Sequence, residues 1–444
     1  MPTAYTILFL LLILVAAATW IIPAGSYDYV DGVPVAGTYH TVEQNPQGVG
    51  DVLKAAFSGF YDAVDVCIFI LMVGGFLGVV MKTGAVDAGV GNVIRLLGGR
   101  EKWLIPILML LFGLGGTTYG MWEETMAFYP LLIPVFLAAG YDAVVGISVI
   151  LLGAGAGVIA STVNPFATGI AAGFAGVSLG EGIVLRLLEW VAFEAAAIWF
   201  VMAYAAKVKK NPSKSVVGVG AGKIQVSMDQ QVSFTAKRKV IMALFTLTFL
   251  IMVYAVVPFD EMGLSLPALG WWFPELSALF LVAGVVIGLI DRMSEEELVE
   301  TYVAGCADLL GVAFIIGISR GITVLMNDGA ITDTVLHWGE QALSGAGAIS
   351  FTLLVFALYL PLTILIPSSS GLATLSIPIV APLGKFAGVG GDLVVTAFQS
   401  ASGLVNIITP TAAVVMGALA LGHVPYDRWV KYVWKLILWF LLLA

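Results

Sequence analysis

Stretches of roughly 20 apolar residues recur from one end of this chain to the other, each long enough to cross the hydrocarbon core of a bilayer. No soluble core asks for that pattern, so the chain reads as a polytopic helical membrane protein. Composition agrees: 60% of the 444 residues are hydrophobic and 11% are charged, against about 25% charged in soluble domains. The first run, "TAYTILFLLLILVAAATWIIPAG", lacks a basic leader and a small-residue cleavage site, so it reads as a span and not a signal peptide. Cys67 and Cys306 fall in or beside apolar helices without metal-ligand spacing and read as small buried hydrophobes. The net charge of −9 offers no basic patch for nucleic acid.

Charge placement orients the spans. Segment 207–239 holds eight of the twenty Lys and Arg, and 82–102 holds Lys82, Arg95, Arg100 and Lys102. Both are expected in the cytoplasm, whereas 23–62, with Lys54 among five acids, is expected outside. The N-terminus is then cytoplasmic, in a cytoplasmic (inner) cell membrane. Spans are expected near 3–22, 63–82, 142–180, 184–206, 240–257, 274–291, 306–327, 392–422 and 428–444. Two further apolar stretches, 103–139 and 348–386, are interrupted by "GLGGTTYG" and "IPSSSG". Re-entrant hairpins there keep the charge rule intact, as would two full spans apiece; the mid-stretch position of the interruptions favours hairpins. The 207–239 loop is expected to be a linker between halves.

The halves match each other. "GFYDAVDVCIFILMVGGF" from Gly59 aligns with "GCADLLGVAFIIGISRGI" from Gly305, "TGAVD" with "DGAIT", "PLLIP" with "PIVAP", and "STVNP" with "NIITP", at offsets of 245 to 248 residues. On the charge-based topology the two copies run in opposite directions. Inverted repeats are a recurring plan of secondary transporters, with the binding site at mid-membrane where interrupted helices meet. Residues 1–206 and 240–444 are expected to be the two repeats. Each has a hairpin (about 103–139, about 348–386) and a broken helix (about 142–180, about 392–422). Pro165 and Pro410 each remove a helical hydrogen bond. The turns before them are expected to leave carbonyls free for a cation and amides for an anion.

Four stretches, "GGTTYGMWEETMAFYPLLIP", "GAGAGVIASTVNPFATG", "GISRGITVLMNDGAITDT" and "IPSSSGLATLSIPIVAPLG", together resemble the YfcC-like transporters. Those group with arginine/ornithine antiporters and anaerobic C4-dicarboxylate carriers in the ion-transporter superfamily. The resemblance covers nearly the whole chain. It implies an all-α elevator-type transporter, a scaffold domain holding a homodimer and a mobile domain of hairpins and broken helices. Sodium-coupled carboxylate carriers of that superfamily bear Ser-Asn-Thr at their hairpin tips. Here Thr117-Thr118 and Ser368-Ser369-Ser370 stand instead, which leaves the coupling ion open.

Candidate site residues follow from burial cost. Adjacent Glu123 and Glu124 lie inside an apolar hairpin, where unpaired carboxylates are expensive and are by default functional. Either could hold a cationic substrate group or take a coupling proton, although a wet hairpin tip would make both ordinary surface acids. Neighbours on a helix project about 100° apart, so one of the two faces the site. Asn164 with Ser161 and Thr162, and Asn406 with Thr409 and Thr411, flank the breaks; the plainer role for them is inter-helix hydrogen bonding. Thr117 and Thr118, and Ser368, Ser369, Ser370 and Gly371, form polar tips suited to a carboxylate, or simply turns. Ser161, Thr162, Glu123 and Glu124 are the coupling-ion candidates. Arg320 could bind a substrate carboxylate or pair with Asp308, Asp328 or Asp333, and Asp62, Asp65 and Asp308 read as structural. "GISRG" matches a nucleophile elbow but lies in an apolar helix, so no enzyme activity is expected.

The expected function is secondary transport of small amino acids or organic acids, with a basic amino acid antiporter first and a Na+- or H+-coupled carboxylate carrier second. The expected partners are a small-molecule substrate, the lipid bilayer and a second copy of the chain. No cofactor is expected beyond Na+ or H+ as coupling ion, and no metal site or nucleic acid.

Overall fold

The computed structural model describes residues 4–30, 33–86, 88–89, 100–178, 180–218, 235–256, 266–267, 269–271 and 273–444. Among these residues four helices are long and apolar enough to cross a membrane: Val64–Lys82, Phe273–Asp291, Glu295–Asp328 and Ala348–Leu365.

Helix α1 (Ala4–Ala18) leads into four two-residue strands, β1 (Gly25–Ser26), β2 (Tyr29–Val30), β3 (Val33–Pro34) and β4 (His40–Thr41). The strands pair antiparallel, β1 with β4 and β2 with β3. Helices α2 (Val49–Asp62) and α3 (Val64–Lys82) follow, with only Ala63 between them. Residues 49–62, part of the 23–62 segment expected outside, form a helix. Val52, Ala55, Ala56 and Gly59 recur at helical spacing on its buried face, and the Gly48 N–H donates to Asp51 Oδ2 at 2.9 Å to start it.

The first two-limbed segment is α4 (Leu104–Tyr119), a 3-10 stretch Glu123–Phe128, and α5 (Tyr129–Ala138). Helix α6 (Ala143–Ile159) begins at Asp142, whose side chain accepts from Val145 N–H at 3.0 Å. Every residue of α6 is buried, as a helix apolar on all sides except at Ser148 demands. A π-helical turn, Pro165–Gly169, and the short α7 (Ile170–Ala175) complete that segment, and α8 (Ile183–Lys210) packs beside α4 and α6. Of the expected linker 207–239, residues 207–210 belong to α8 and 236–239 to the start of the next helix; 219–234 lie outside the described residues, as do 90–99, including Arg95, of the basic segment 82–102.

Helices α9 (Ala236–Val256), α10 (Phe273–Asp291), α11 (Glu295–Asp328) and α12 (Thr332–Leu343) come next. Ser294 caps α11, accepting from Glu297 N–H at 3.2 Å, and three acids fill its first turn. The second two-limbed segment is α13 (Ala348–Leu365) and α14 (Ser369–Phe386), followed by α15 (Gly391–Asn406), α16 (Ala413–Leu421) and α17 (Tyr426–Leu443).

Two contacts organise this arrangement. First, α11 runs antiparallel along the whole of α2 and α3. A methyl group on Gly59 would fall 2.1 Å from the Gly317 carbonyl, and one on Gly305 would fall 2.4 Å from that of Gly74. Second, the limbs interlock across the chain. The turn 165–169 and α7 pack on α14, while Met126 of the 3-10 stretch packs on Gly417 of α16. The strand segment ties down α12: Tyr27 N–H and Tyr29 OH both bond Asp333, and Tyr27 OH bonds Glu340 at 2.8 Å. Burial, reinforced by those acceptor carboxylates, holds both phenols well above their ordinary pKa.

Candidate functional site

Helix α6 stops at Ala160, and residues 161–164 run without helical bonding before the π turn. The carbonyls released there were expected to be free. They are not, because a buried carbonyl must find a donor. Gln399 Nε2 donates to Val158 O at 2.7 Å, Ser400 Oγ to Ile159 O at 3.3 Å, Thr117 Oγ1 to Ala160 O at 3.1 Å and Thr168 Oγ1 to Ser161 O at 3.3 Å. Thr117 also takes Thr162 N–H on its own carbonyl at 2.8 Å, so hairpin and break are stitched together. Gly120, at φ +78°, ends α4 against Asn164; a Cβ there would lie 2.6 Å from Asn164 Nδ2, a double demand for glycine. The Asn164 carbonyl accepts from Gly169 N–H at 2.8 Å, closing the π turn. Ser161 is fully buried, with no partner for its hydroxyl.

The second break is held differently. Trp429 Nε1 donates to Ile407 O at 3.1 Å, Tyr426 OH to Ile408 O at 2.8 Å, and Ser319 Oγ to the Thr411 carbonyl. Thr409 and Thr411 share a hydroxyl contact of 2.9 Å. Asn406 is buried, yet its Oδ1 has no partner.

A cavity of about 40 Å³ lies at this second break, lined by Trp122, Glu123, Ser319, Arg320, Pro367, Asn406, Thr411 and apolar neighbours. It joins five parts of the chain: α3 through Val66, the first hairpin's turn, α11, the second hairpin's tip and the second broken helix. That volume holds a few waters and is far below the roughly 300–1,000 Å³ of an ordinary ligand pocket. A larger cavity, about 1120 Å³, lies beyond α16 and is lined by Tyr5, Lys82, Asp308, His423, Tyr426, Asp427 and mostly apolar residues. Helix α16 divides the two, with Ala413 and Val414 on one side and Met416, Leu419 and Ala420 on the other.

Among the sequence candidates, Glu123, Asn406 and Thr411 meet at the small cavity. Glu124 turns inward and accepts Trp122 N–H at 3.1 Å. Thr117, Thr162 and Asn164 belong to the stitched first break, beside Ser161. Thr118 spends its hydroxyl on Leu114 O, on the more exposed side of α4. The interruption of the first hairpin falls at Gly120–Trp122, one turn later than the sequence suggested, because Thr117 and Thr118 complete the last turn of α4. Ser368 caps α14, accepting from Gly371 N–H at 3.2 Å; Ser369, Ser370 and Gly371 form its half-buried first turn, beside the cavity-lining Pro367. Arg320 faces Asp62 at 3.8 Å, not Asp308, Asp328 or Asp333, because antiparallel packing lays the end of α2, just before its junction with α3, against this part of α11. Ser319, Gln399 and Ser400 escaped the sequence reading. In "FQSASGLVN", Gln399, Ser402 and Asn406 recur on one helix face, a polar stripe in an apolar span that periodicity could have found.

A polytopic helical protein with a mixed-charge cavity at a broken helix has the layout of a small-molecule carrier, and the family comparison agrees. The family model for the C4-dicarboxylate anaerobic carrier, DcuC, matches residues 1–444, and the chain belongs to that family. It is 35% identical over 488 residues to an uncharacterized protein of Haemophilus influenzae, covering 98% of this chain and 94% of that one. It is 30% identical over 480 residues to the "Putative basic amino acid antiporter YfcC" of Escherichia coli, covering 97% and 92%. Among solved structures, the Alcanivorax borkumensis YdaH transporter aligns with a TM-score of 0.45 and 15% identity over 100% of this chain and 98% of its own.

Proposed function

We propose that this carrier exchanges one basic amino acid for another, of the arginine and ornithine type, at the small cavity by the second break. The observation that carries the reading is the mixed sign of its lining. Glu123 suits an ammonium or guanidinium group, Arg320 suits a carboxylate, and Asn406 offers an acceptor with no partner among the described residues. A zwitterion with an extra positive charge uses all three. The cavity must widen to take it, and the opening is movement of α16 toward the larger cavity. The likeness to YfcC supports the same choice.

A second reading has its own support. Arg320 in the cavity and the family description both fit a dicarboxylate, with Glu123 then carrying H+ or joining a Na+ site. Counterflow in proteoliposomes decides between them. Vesicles loaded with ornithine, succinate or nothing are offered labelled arginine or succinate, with and without Na+. Arginine uptake that needs internal ornithine and ignores Na+ upholds the first reading; Na+-dependent succinate uptake with arginine inert replaces it by the second.

The wider reading is of two inverted repeats, 1–206 and 240–444, joined by the 207–239 linker. They work as an elevator within a homodimer whose N-termini lie in the cytoplasm. Its support is that Val49–Lys82 and Glu295–Asp328 have the same extent, stand 246 residues apart at both ends and pack antiparallel. Cysteine pairs placed across the α4–α8 seam test the elevator: cross-linking that leaves exchange intact would rule it out there.

A further inference from the structure

Helix α8 carries a buried acid that the substrate cavity does not use. Glu194 is 2% exposed, and among the described residues neither carboxylate oxygen has a hydrogen-bond partner. It lies about 17 Å along a helix that rises 1.5 Å per residue; with 184–206 crossing the membrane, as the sequence leads one to expect, that is near the middle of a roughly 30 Å hydrocarbon core. Its carboxyl presses on the first hairpin: a Cβ on Gly113 would fall 2.5 Å from Glu194 Oε2. Gly113 is one turn before Thr117, the residue that stitches the hairpin to the first break.

We propose that Glu194 is an intramembrane proton-binding site, charged and discharged as the seam between α8 and α4 opens and closes. An ionised carboxylate with no donor and no counter-ion at this depth is prohibitively costly, so the closed seam holds the neutral acid. When α4 moves away and water enters, the acid can release its proton to that water; it must take one back before the seam can close. A metal cation is the wrong ligand, because it needs several oxygens round one point and the facing residue is glycine. The inference rests on the transport reading for the motion, and on the seam alone for the site.

Among the described residues the surrounding charges are few. Helices α4 and α6 contain no Asp, Glu, Lys, Arg or His. On α17, which packs on α8 through Phe440 against Phe193, Lys431 and Lys435 are exposed and Tyr432 bonds Ser148. On α8 itself Glu189 and Arg186 lie toward its start. Glu189 Oε2 is 3.4 Å from Ser400, whose hydroxyl also reaches Ile159 O in the first break, and the charges acting on Arg186 are Glu189 and Asp392. Toward its end, Tyr204 bonds Asp142.

Two readouts on the full-length protein in liposomes test this. Infrared pH-difference spectra of wild type and Glu194→Gln should differ by one protonated-carboxyl band, absent from the variant; identical spectra overturn the proposal. Substrate exchange should survive in Glu194→Gln while accumulation driven by an imposed pH gradient falls about tenfold or more, within the usual range of coupling. Unchanged gradient-driven accumulation, or equal loss of both activities, also overturns it. Glu194→Asp, which keeps an acid at the seam, should retain the band and part of the coupling, and its failure to do so would likewise count against the site. Should wild type exchange none of the compounds, the transport reading fails by itself, whereas the infrared arm still judges Glu194.

Discussion

The two proline breaks look alike in sequence and are held in opposite ways. At the first, four consecutive carbonyls, Val158 to Ser161, accept from Gln399, Ser400, Thr117 and Thr168. Those donors sit on the hairpin, on the other broken helix and in the break itself, so the region is knitted into one unit. At the second, the donors Trp429, Tyr426 and Ser319 come from α17 and α11, and Asn406 and Thr411 are left at the cavity with Glu123 and Arg320. A broken helix becomes a binding site only where its neighbours decline to satisfy it. The four carbonyls of the first break are taken up, although the Ser161 hydroxyl has no partner among the described residues; the proposed binding place is the second break, where Asn406 and Thr411 share the cavity with Glu123 and Arg320.

The sharpest way to break that division is by charge. Glu123→Gln should cost a cationic substrate about 2–5 kcal/mol of binding, the usual penalty for truncating one side of a desolvated, hydrogen-bonded charge pair. Arg320→Gln should do the same for the carboxylate end. Binding is read by isothermal titration with arginine, ornithine and succinate. A loss of similar size in Thr162→Val, at the first break, would erase the distinction between the two.

Next in size is the stability of the knitted break. Gln399→Leu leaves the Val158 carbonyl buried without its donor, at a cost of about 1–3 kcal/mol. Thermal unfolding in detergent should show it, while arginine affinity stays within a factor of about three, which is under 1 kcal/mol. A Gln399→Leu protein as stable as wild type but unable to bind would move the site to the first break.

How much of this was legible in the sequence depends on the distance over which each fact is decided. A proline and polar residues in an apolar run are local, so "STVNP" and "NIITP" located both breaks. The equal extents of Val49–Lys82 and Glu295–Asp328 were foreshadowed by the alignment of Asp62 with Asp308. What satisfies a break is not local: Gln399 lies 241 residues from Val158. No pattern near either residue announces that bond, so the carbonyls looked free. Arg320 is a similar case, since its facing acid, Asp62, is set by how α11 crosses the α2–α3 pair. Besides the polar stripe of Gln399, Ser402 and Asn406, two signals were legible in the sequence. The apolar stripe Val52, Ala55, Ala56, Gly59 had helical spacing within the acidic segment 23–62. Glu194 stood in plain view in "WVAFEAAAIWF".

A smaller effect should come from the second break's outer tie. Tyr426→Phe removes the donor to Ile408 O, but Tyr426 also lines the large cavity, where water can replace the phenol. The expected loss of stability is about 0.5–1.5 kcal/mol at most. The informative readout is the exchange rate: a faster α16 movement, with Kd for arginine unchanged, fits a tether that restrains opening. A slower rate with weaker binding would place Tyr426 in the site itself.

The smallest effect discriminates most finely, because it compares two adjacent threonines. Thr117 is buried and bonds Ala160 O and Thr162; Thr118 returns its hydroxyl to Leu114 O on the other side of the same turn. Valine keeps the shape of either side chain and removes only the hydroxyl. Thr118→Val should change unfolding and transport by no more than about 0.5 kcal/mol, as surface substitutions usually do. Thr117→Val should cost about 1–3 kcal/mol in stability, because it strands a carbonyl that nothing else reaches. If the two variants behave alike, the hairpin's contact with the first break does not hold that break closed. If Thr118→Val instead weakens substrate binding, α4 turns its other face to the ligand during transport, and the first hairpin is a moving wall of the site.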